Sequence, residues 1–483
     1  MQAANTNRRT FVVFAAAAIL YLCIPTKDFY WDGVGFALVL EHPHWFPFIE
    51  ANHPIYIGFG WALYSLVHAI APALSALRFL QALNSIFAAG CVVLVYAMAR
   101  KLFAAEFEAL LLSLLFALSA TWWKFATDAN AYIPAIFLLL VAARLLLSAG
   151  KPRPFTVAIV HTCAMLFHVL SVLFAAPAAV ALCRQNRRNA GVYVASTLAL
   201  STAAFYLCFF INTAHTGVGE FLRWITWHTP DAHFSFSLGR SLWFTVRGTG
   251  RLALGGRLDA FHSGVLELLV LLVLVASGAY WTFRARIGKD RESLPFPRAF
   301  LWIWVAVYVL FLIFWLPQNT FYRLFYLPPL VFVAGVLFRG NARRWVLFGV
   351  VAFLGIWNYL FYIHPNSLVE NNPVLRAALA MRPEWKPGTW VYVGSLNTDD
   401  WTVFCFNPQV NFKDVDLSHL PEMTGEMAAF EKAGHQVWID QSARDVLQSS
   451  EAGRMWLSAH TRPGWMKGLG DSKHKITFTR IFA

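Results

Sequence analysis

Charged residues are scarce in this chain. Asp, Glu, Lys and Arg make up 13% of its 483 residues, about half of what a soluble protein of this size carries. The formal net charge is +13, but the Lys and Arg gather in short segments between apolar runs. That distribution is typical of membrane topology signals. It argues against a nucleic acid as the partner.

Cysteine, repeats and biased segments are scarce as well. Five of the six Cys lie in apolar segments, and Cys405 stands alone in the C-terminal tail. The spacing of these residues indicates neither a disulfide framework nor a metal site. No repeat of solenoid period and no low-complexity linker occurs. The apolar runs are therefore the main structural signal.

Those apolar runs predict a polytopic membrane protein. Hydrophobic residues make up 58% of the chain, and many runs approach the roughly 20 residues that a membrane span needs. We predict about eleven spans, at residues 10–25, 77–99, 104–123, 130–149, 154–167, 169–183, 190–212, 263–283, 299–317, 325–338 and 345–363. The first run follows Arg8 and Arg9 and could instead be a signal peptide, but no convincing cleavage site follows it.

The basic segments predict the topology. They occur before the first span and in alternate loops, and the positive-inside rule places them in the cytoplasm. The first loop (25–76), the short turn at 124–129, the long loop (213–262) and the tail then lie outside. Within the first loop, 54–72 is apolar and about span length. If it crossed, the later basic loops would face outside, so we predict an interfacial juxtamembrane helix there.

The tail has a different composition. After residue 363 the chain becomes polar, with strand-like runs at 389–394, 403–406, 436–440 and 475–482 and helical patterns near 422–433 and 442–448. This order predicts a small soluble α/β domain. The predicted domains are therefore a transmembrane helical bundle, 1–363, and an extracytoplasmic α/β domain, 364–483.

Two carboxylates in the first outside loop are candidates for chemistry. Asp28 and Asp32 flank aromatic residues that include Trp31, directly after the first span. If the stretch is helical, their i, i+4 spacing puts both on one face. A carboxylate at this place could take a proton from an acceptor hydroxyl as a general base. The alternative is a solvated acidic loop.

Further candidates share the outer side by topology. His53 opens the interfacial segment, and Asp128, Asn130 and Tyr132 lie at the second outside turn. These residues and Trp31 would line a substrate cleft. Asp128 could instead cap the next span, which is a common use of Asp.

Basic and aromatic residues near the tenth span suit a lipid phosphate. Arg323 and Tyr322 lie in an aromatic outside turn, and an Arg at headgroup depth can bind phosphate through a charge-assisted fork. The alternative for Arg323 is interfacial snorkelling. Arg78, at the outer end of the second span, is a weaker candidate.

The remaining polar residues are ambiguous. His161 and His168, in the fifth span and the turn after it, suit hydrogen bonds within the bundle. The long loop could form a cleft for an acceptor or lipid phosphate, or an amphipathic surface helix. Its candidates are Glu220, Trp224, Trp227, His228, Asp231, His233, Arg240, Arg247 and Arg251. Because the His and Asp spacing there is irregular, we assign no metal site.

The ordered set of motifs resembles the GT-C superfamily of membrane glycosyltransferases, which includes protein O-mannosyltransferases and the aminoarabinose transferase of lipid A. The resemblance covers about residues 10–340. It rests on Trp31-Asp32-Gly33, on His53-Pro54, on the stretch from Ala99 to Phe103, on Asp128, and on the Tyr-Arg-x-Phe-Tyr-Leu-Pro stretch from Tyr322.

A bacterial subgroup is more similar still. Its motifs Gly-Asp-Ser-Gly-Glu and Ala-Glu-Val-Tyr correspond to residues 31–35 and 129–132 here, and its Asp-Asn-Asp-Thr corresponds to 397–400. Two Glu positions of that pattern hold Gly35 and Asn130 in this chain. The identity of the second carboxylate therefore stays open between Asp28 and Asp128.

The resemblance implies an inverting glycosyltransferase of the bacterial inner membrane. The donor would be a polyprenyl-phosphate sugar, and the acceptor a hydroxyl of a lipid, glycan or protein. Asp32 would be the base, and Arg323, Tyr322 and Arg78 would contact the donor phosphate. No cofactor is implied, and a divalent metal stays possible. The alternatives are a transporter of lipid-linked sugars and an inactive GT-C-like binding protein.

Overall fold

The computed structural model describes residues 2–42, 49–103, 105–148, 153–226, 237–256, 298–338, 341–394, 398–461, 466–470 and 475–482. The chain divides into two compact units. The first comprises Met1–Thr26 and His42–Pro365, and the second comprises Lys27–Glu41 and Asn366–Ala483. Residues 27–41, which we assigned to the N-terminal domain from the sequence, thus belong to the unit that contains the tail.

The first unit is helical in its described residues. Its longer helices are α1 (Gln2–Cys23), α3 (Tyr56–Ile70), α4 (Ala76–Phe103), α5 (Glu106–Ala117), α6 (Ala120–Ala126), α7 (Tyr132–Leu146), α8 (Pro154–Phe167), α9 (Ala175–Gln185), α10 (Arg187–Thr213), α11 (Val218–Ile225), α12 (Leu238–Ala253), α13 (Arg298–Phe314), α14 (Leu327–Leu337) and α15 (Asn341–Asn358). Two 3₁₀ helices, Val169–Phe174 and Phe321–Tyr326, precede α9 and α14. In the second unit, α2 is Trp31–Glu41.

Several of these helices are long and apolar enough to cross a membrane. Among the described residues, three meet that standard, at Ala76–Phe103, Arg187–Thr213 and Arg343–Asn366, and a bent pair, α5 with α6, makes a fourth. Six shorter apolar helices coincide with other predicted spans and with the interfacial segment. The predicted span at 263–283 lies outside the described residues. The chain is thus an integral membrane protein, and the count of eleven stays a prediction.

The predicted third span is not one continuous helix. Helices α5 and α6 meet at an angle of 70°. A break in a span leaves backbone groups without their helical partners, and these must be satisfied inside the protein. The buried Asn358 does this, because its Nδ2 donates to the carbonyl of Leu118 at 2.8 Å and to that of Ala253 at 2.7 Å.

Helix α3 covers most of the segment predicted to be interfacial. It has 15 residues, fewer than a full span needs. Trp61, Leu66 and Ile70 are exposed on it, whereas Tyr56 and Tyr64 are buried. This amphipathic pattern suits a helix that lies at the membrane surface.

The second unit is the expected α/β domain. Its elements after α2 are α16 (Pro373–Met381), β1 (Trp390–Val393), α17 (Thr398–Cys405), β2 (Asn411–Asp414), α18 (Leu420–Lys432), β3 (Val437–Asp440), α19 (Gln441–Gln448), α20 (Glu451–His460), β4 (Met466–Gly470) and β5 (Lys475–Arg480). The sheet order is β2-β1-β3-β5-β4. Strand β1 is parallel to β2 and β3, and β5 is antiparallel to β3 and β4.

The strands of the tail were predicted only in part. Predicted runs correspond to β1, β3 and β5, whereas β2 and β4 were not anticipated. The prediction of a strand at 403–406 is wrong, because Val403 and Phe404 are buried on helix α17. A short apolar run has no periodicity that separates a buried strand from a buried helix.

Candidate active site

The helix α2 carries the predicted base. Asp32 lies in its first turn, where the helix dipole favours a negative charge. Asp28 precedes the helix and is exposed, and its backbone N–H donates to the carbonyl of Asn366 at 3.2 Å. The condition under which both carboxylates would share a helix face is therefore not met, since the helix begins only at Trp31.

Helix α2 packs against α17 of the same unit. Phe29, just before the helix, contacts Phe406 with ring centroids 5.5 Å apart. A Cβ atom on Gly35 would lie 3.0 Å from Cζ3 of Trp401. A side chain at position 35 would therefore require the Trp401 indole to shift.

The environment of Asp32 suits proton transfer. The side chain is partly buried, and this burial raises the pKa of the carboxyl to about 6, against the smaller opposing effect of hydrogen bonds with the Tyr30 and Trp31 side chains. A general base works best when its pKa lies near the operating pH. Trp31 itself is 45% exposed.

In the first unit, Asp128 pairs with a residue that we did not predict. The Nζ atom of Lys124 lies 3.4 Å from Oδ2 of Asp128, and both side chains are buried. The same Nζ lies 5.0 Å from the ring centroid of Phe125. The signal in the sequence was a Lys four residues before the Asp within an aromatic, apolar stretch, since i, i+4 pairs meet on a helix.

Polar side chains of α4 hold the turn that carries Asp128. Asn84 Nδ2 donates to the carbonyls of Asp128 and Asn130, each at 2.8 Å. Gln81 and Ser85 donate to other carbonyls of the same turn. In membrane proteins, irregular backbone is tolerated when protein groups satisfy it in this way.

Asn130 has a structural role in this turn. Its Oδ1 accepts from the backbone N–H groups of Tyr132 at 3.1 Å and Ile133 at 3.2 Å. These bonds satisfy donors at the start of α7. Asn130, not Asp128, is thus the side chain that caps this helix. Asp128 Oδ1 instead accepts from the adjacent N–H of Ala129 at 2.9 Å.

Arg323 is fully buried in the 3₁₀ helix before α14. Snorkelling toward an interface is therefore not its role here. Nη2 donates to the carbonyls of Pro317 at 2.5 Å and Phe244 at 3.3 Å, and Nη1 donates to the Tyr326 hydroxyl at 3.3 Å. Within the described ranges, all three acceptors are neutral and Nε has none.

Among the described residues, the buried guanidinium of Arg323 has no negatively charged partner to balance its charge. Burial of a charge is unfavourable unless an opposite charge or several hydrogen bonds compensate. Gly248 of α12 gives Arg323 its space, because a Cβ there would overlap Nε. Nearby, Leu316 has a φ of 48°, a conformation that non-glycine residues keep only where the surrounding contacts hold it. This arrangement suits an anionic ligand.

Three candidate site residues and His168 form an aromatic cluster in the first unit. The His168 ring lies 4.7 Å from that of Tyr132, 4.9 Å from that of His53 and 6.0 Å from that of Tyr322. Phe325 adds a further ring, 5.2 Å from His168. The structure thus brings together His53, Tyr132 and Tyr322, which are far apart in sequence.

Other candidates lie apart from this cluster or form different contacts. Arg78 is exposed in the first turn of α4. His161 binds within the bundle as expected, through the Ser171 carbonyl and the Tyr193 hydroxyl. In the long loop, Glu220 pairs with His215, and α11 has no buried residue. Trp227, His228, Asp231, His233 and Asn397 lie outside the described residues.

No metal site is evident in the part of the chain that the structure describes. There, no group of three or more His, Cys, Asp or Glu side chains is arranged to hold an ion.

Comparison with known proteins identifies the fold. No protein-family model matches the chain, and no curated protein matches it. Among solved structures, the chain is similar to the crystal structure of ArnT from Cupriavidus metallidurans bound to undecaprenyl phosphate. The two are 11% identical, with a TM-score of 0.61, over 99% of this chain and 98% of that one. The same protein in the apo state gives 14% identity and a TM-score of 0.45 over the same shares.

The match to the lipid-bound structure shows the fold of this chain. It extends over nearly the whole length of both proteins, and so it includes the helical unit and the tail. The chain therefore has the fold of ArnT, in agreement with the helical bundle and C-terminal α/β domain expected from the sequence.

Proposed function

We propose that this chain is a glycosyltransferase that uses a polyprenyl-phosphate sugar as its donor. The observation that carries the proposal is the fold shared with ArnT, whose structure contains undecaprenyl phosphate. In support, Arg323 is a buried cation whose acceptors among the described residues are all neutral, which suits a lipid phosphate. Asp32 is a carboxyl with a raised pKa, which suits a base.

The proposed reaction is a single in-line displacement with inversion. Asp32 takes the proton of the acceptor hydroxyl as that oxygen attacks the anomeric carbon. The bond from this carbon to the phosphate oxygen breaks, and the lipid phosphate leaves with the electron pair. Arg323 stabilises the charge on the departing phosphate, with Tyr322 and Arg78 as further candidates for phosphate contact. Asp28 or Asp128 orients the acceptor.

The proposed topology has eleven spans with the N-terminus in the cytoplasm of a bacterium. The transmembrane domain is 1–363 without residues 27–41, and the α/β domain, which those residues join, lies outside the inner membrane. The acceptor is a hydroxyl of a lipid, glycan or protein at the outer surface. His53, Asn130, Tyr132 and Trp31 are the candidates for lining its cleft.

The test uses the purified protein in sealed liposomes with undecaprenyl-phosphate sugars, and an extract of bacterial envelope supplies the acceptor hydroxyl. Mass spectrometry would follow conversion of the sugar-bearing lipid to undecaprenyl phosphate, with Asp32→Asn as the matched inactive control. The expected result is conversion by the wild type alone. Transbilayer movement of intact sugar lipid without cleavage would favour a transporter, and binding without either process would favour an inactive binding protein.

A further inference from the structure

His168 lies in the turn between α8 and the 3₁₀ helix Val169–Phe174. Its side chain is buried, with 3% of the residue exposed. Its Nδ1 atom accepts a hydrogen bond from the backbone N–H of Leu170 at 3.1 Å, which caps the 3₁₀ helix. The local fold therefore requires a hydrogen-bond acceptor at Nδ1.

This cap decides which ring nitrogen carries the proton. A ring nitrogen that accepts a hydrogen bond has no proton, so a neutral imidazole capped in this way holds its proton on Nε2. Protonation of Nδ1 would break the cap and place a charge in a buried site. His168 is therefore a neutral ring that presents Nε2–H as a donor.

That donor has no protein acceptor within the described ranges. The bond to Leu170 is the one hydrogen bond that the described residues give this ring. His161, seven residues earlier, differs because both of its nitrogens are bonded within the bundle. The Nε2 atom is not among the fully buried polar atoms of the described residues that have no partner, so it keeps accessible surface although the residue is buried. Its N–H is therefore open to a ligand oxygen.

The backbone holds the ring in place beside candidate substrate-binding residues. The N–H of Val169 donates to the carbonyl of Asn52 at 3.1 Å, and the N–H of Ile55 donates to that of Leu166 at 3.3 Å. These bonds tie the His168 turn to the segment that carries His53. The flanking Tyr132 and Tyr322 rings present apolar faces with polar edges, which suit an amphipathic ligand.

We propose that His168 is a donor-binding residue whose Nε2–H donates a hydrogen bond to a phosphate or sugar oxygen of the lipid-linked donor. This role rests on the proposed function and adds a site residue on a turn that the GT-C motifs do not include. The ring stays neutral throughout, so it orients the ligand and transfers no proton.

The matched variants are His168→Asn and His168→Gln. An Asn oxygen can replace Nδ1, since Asn is a favoured cap, but Asn has no group at the place of Nε2. The longer Gln side chain carries an amide donor close to that place. If His168 only caps the helix, His168→Asn will match the wild type. If it binds the donor lipid, His168→Asn will fail and His168→Gln will recover part of the loss.

Two measurements locate the contact. Binding of undecaprenyl phosphate to each variant reports on the phosphate, and KM and kcat with the sugar-bearing lipid report on the sugar. We expect His168→Asn to lose about tenfold in one of them. Both variants lose the ring contacts, so Tm is compared between His168→Asn and His168→Gln and should be similar. Weaker binding of undecaprenyl phosphate assigns the contact to phosphate. Normal binding with a higher KM or lower kcat assigns it to the sugar.

Two results would overturn the proposal. One is wild-type binding and kinetics in His168→Asn, and the other is a folded His168→Gln that performs no better than His168→Asn. Failure of the proposed function looks different, because the wild type itself would then leave every sugar-bearing lipid unconverted.

Discussion

The Nε atom of Arg323 lies directly against the backbone of Gly248. A Cβ atom on Gly248 would be 3.0 Å from Cζ of Arg323 and closer still to Nε. We therefore expect Gly248→Ala to displace the guanidinium and weaken the binding of undecaprenyl phosphate by about tenfold or more. Titration of the lipid against purified protein would measure this.

Gly239 is the matched control for that substitution. It lies on the same helix, α12, and a Cβ there would meet no atom within 4 Å among the described residues. Gly239→Ala should therefore bind the lipid like the wild type. Equal binding by the two Ala variants would contradict a phosphate role for Arg323.

The carboxylate of Asp32 is expected to be essential for transfer. Asp32→Asn keeps the size of the side chain but removes the base, so kcat should fall by about 10²–10⁴-fold with normal expression and lipid binding. Asp28→Asn is the comparison. Its kcat should fall much less, because Asp28 lies before the helix, is exposed and at most orients the acceptor. Full activity of Asp32→Asn would exclude it as the base.

The pH dependence of transfer follows from the raised pKa of Asp32. Burial lifts this pKa to about 6, and the base acts only when it is deprotonated. We expect kcat/KM to be level above pH 7 and to fall about tenfold per pH unit below 6. Rates measured from pH 4.5 to 8 would reveal this limb. A rate that stays level down to pH 5, as expected of an ordinary Asp that titrates near pH 4, would contradict the effect of burial.

Substitutions in the buried pair of Lys124 and Asp128 can distinguish a role in stability from a role in catalysis. Removal of one partner leaves a buried charge and costs about 3–5 kcal/mol, so Lys124→Met and Asp128→Asn should each lower Tm. The double variant should regain much of that loss, since neither charge remains. If Asp128 also orients the acceptor, the double variant will stay poorly active despite its higher Tm.

The contact between Gly35 and Trp401 holds α2 against the tail. Gly35→Val would push the indole away, because even a Cβ lies 3.0 Å from it. We expect slower turnover, since Asp32 lies on the same helix, with unchanged binding of undecaprenyl phosphate. Trp401→Ala in the Gly35→Val background should restore part of the rate. A Gly35→Val variant with normal kcat would show that this packing does not position the base.

The sequence predicted the class of fold better than local details such as breaks within helices. Apolar length and charge located the helices that match the predicted spans, because both are properties of local segments. The break between α5 and α6 was not visible, since its stabilising group, Asn358, lies far along the chain. The prediction of a strand at 403–406 was wrong for a different reason. A short run of buried apolar residues has the same sequence pattern in a strand and in a helix.

The sequence identified several residues of the candidate site, but it did not identify the partners that these residues contact. Topology grouped His53, Tyr132 and Tyr322 on one side, and the structure brings their rings into one cluster. The partner of Asp128 was missed because Lys124 resembles an ordinary loop cation until its burial is known. The Nδ1 cap of His168 depends on a backbone turn, which no side-chain pattern reveals.

The shared unit of residues 27–41 and 366–483 bears on the order in which the protein becomes active. The ribosome makes α2 early, but its packing surface on α17 follows about 350 residues later, which takes on the order of tens of seconds at cellular synthesis rates. Until then the helix that carries Asp32 lacks its packing surface on α17. Under the proposed function, an unfinished chain would therefore be inactive, and sugar lipids would react only with the completed protein.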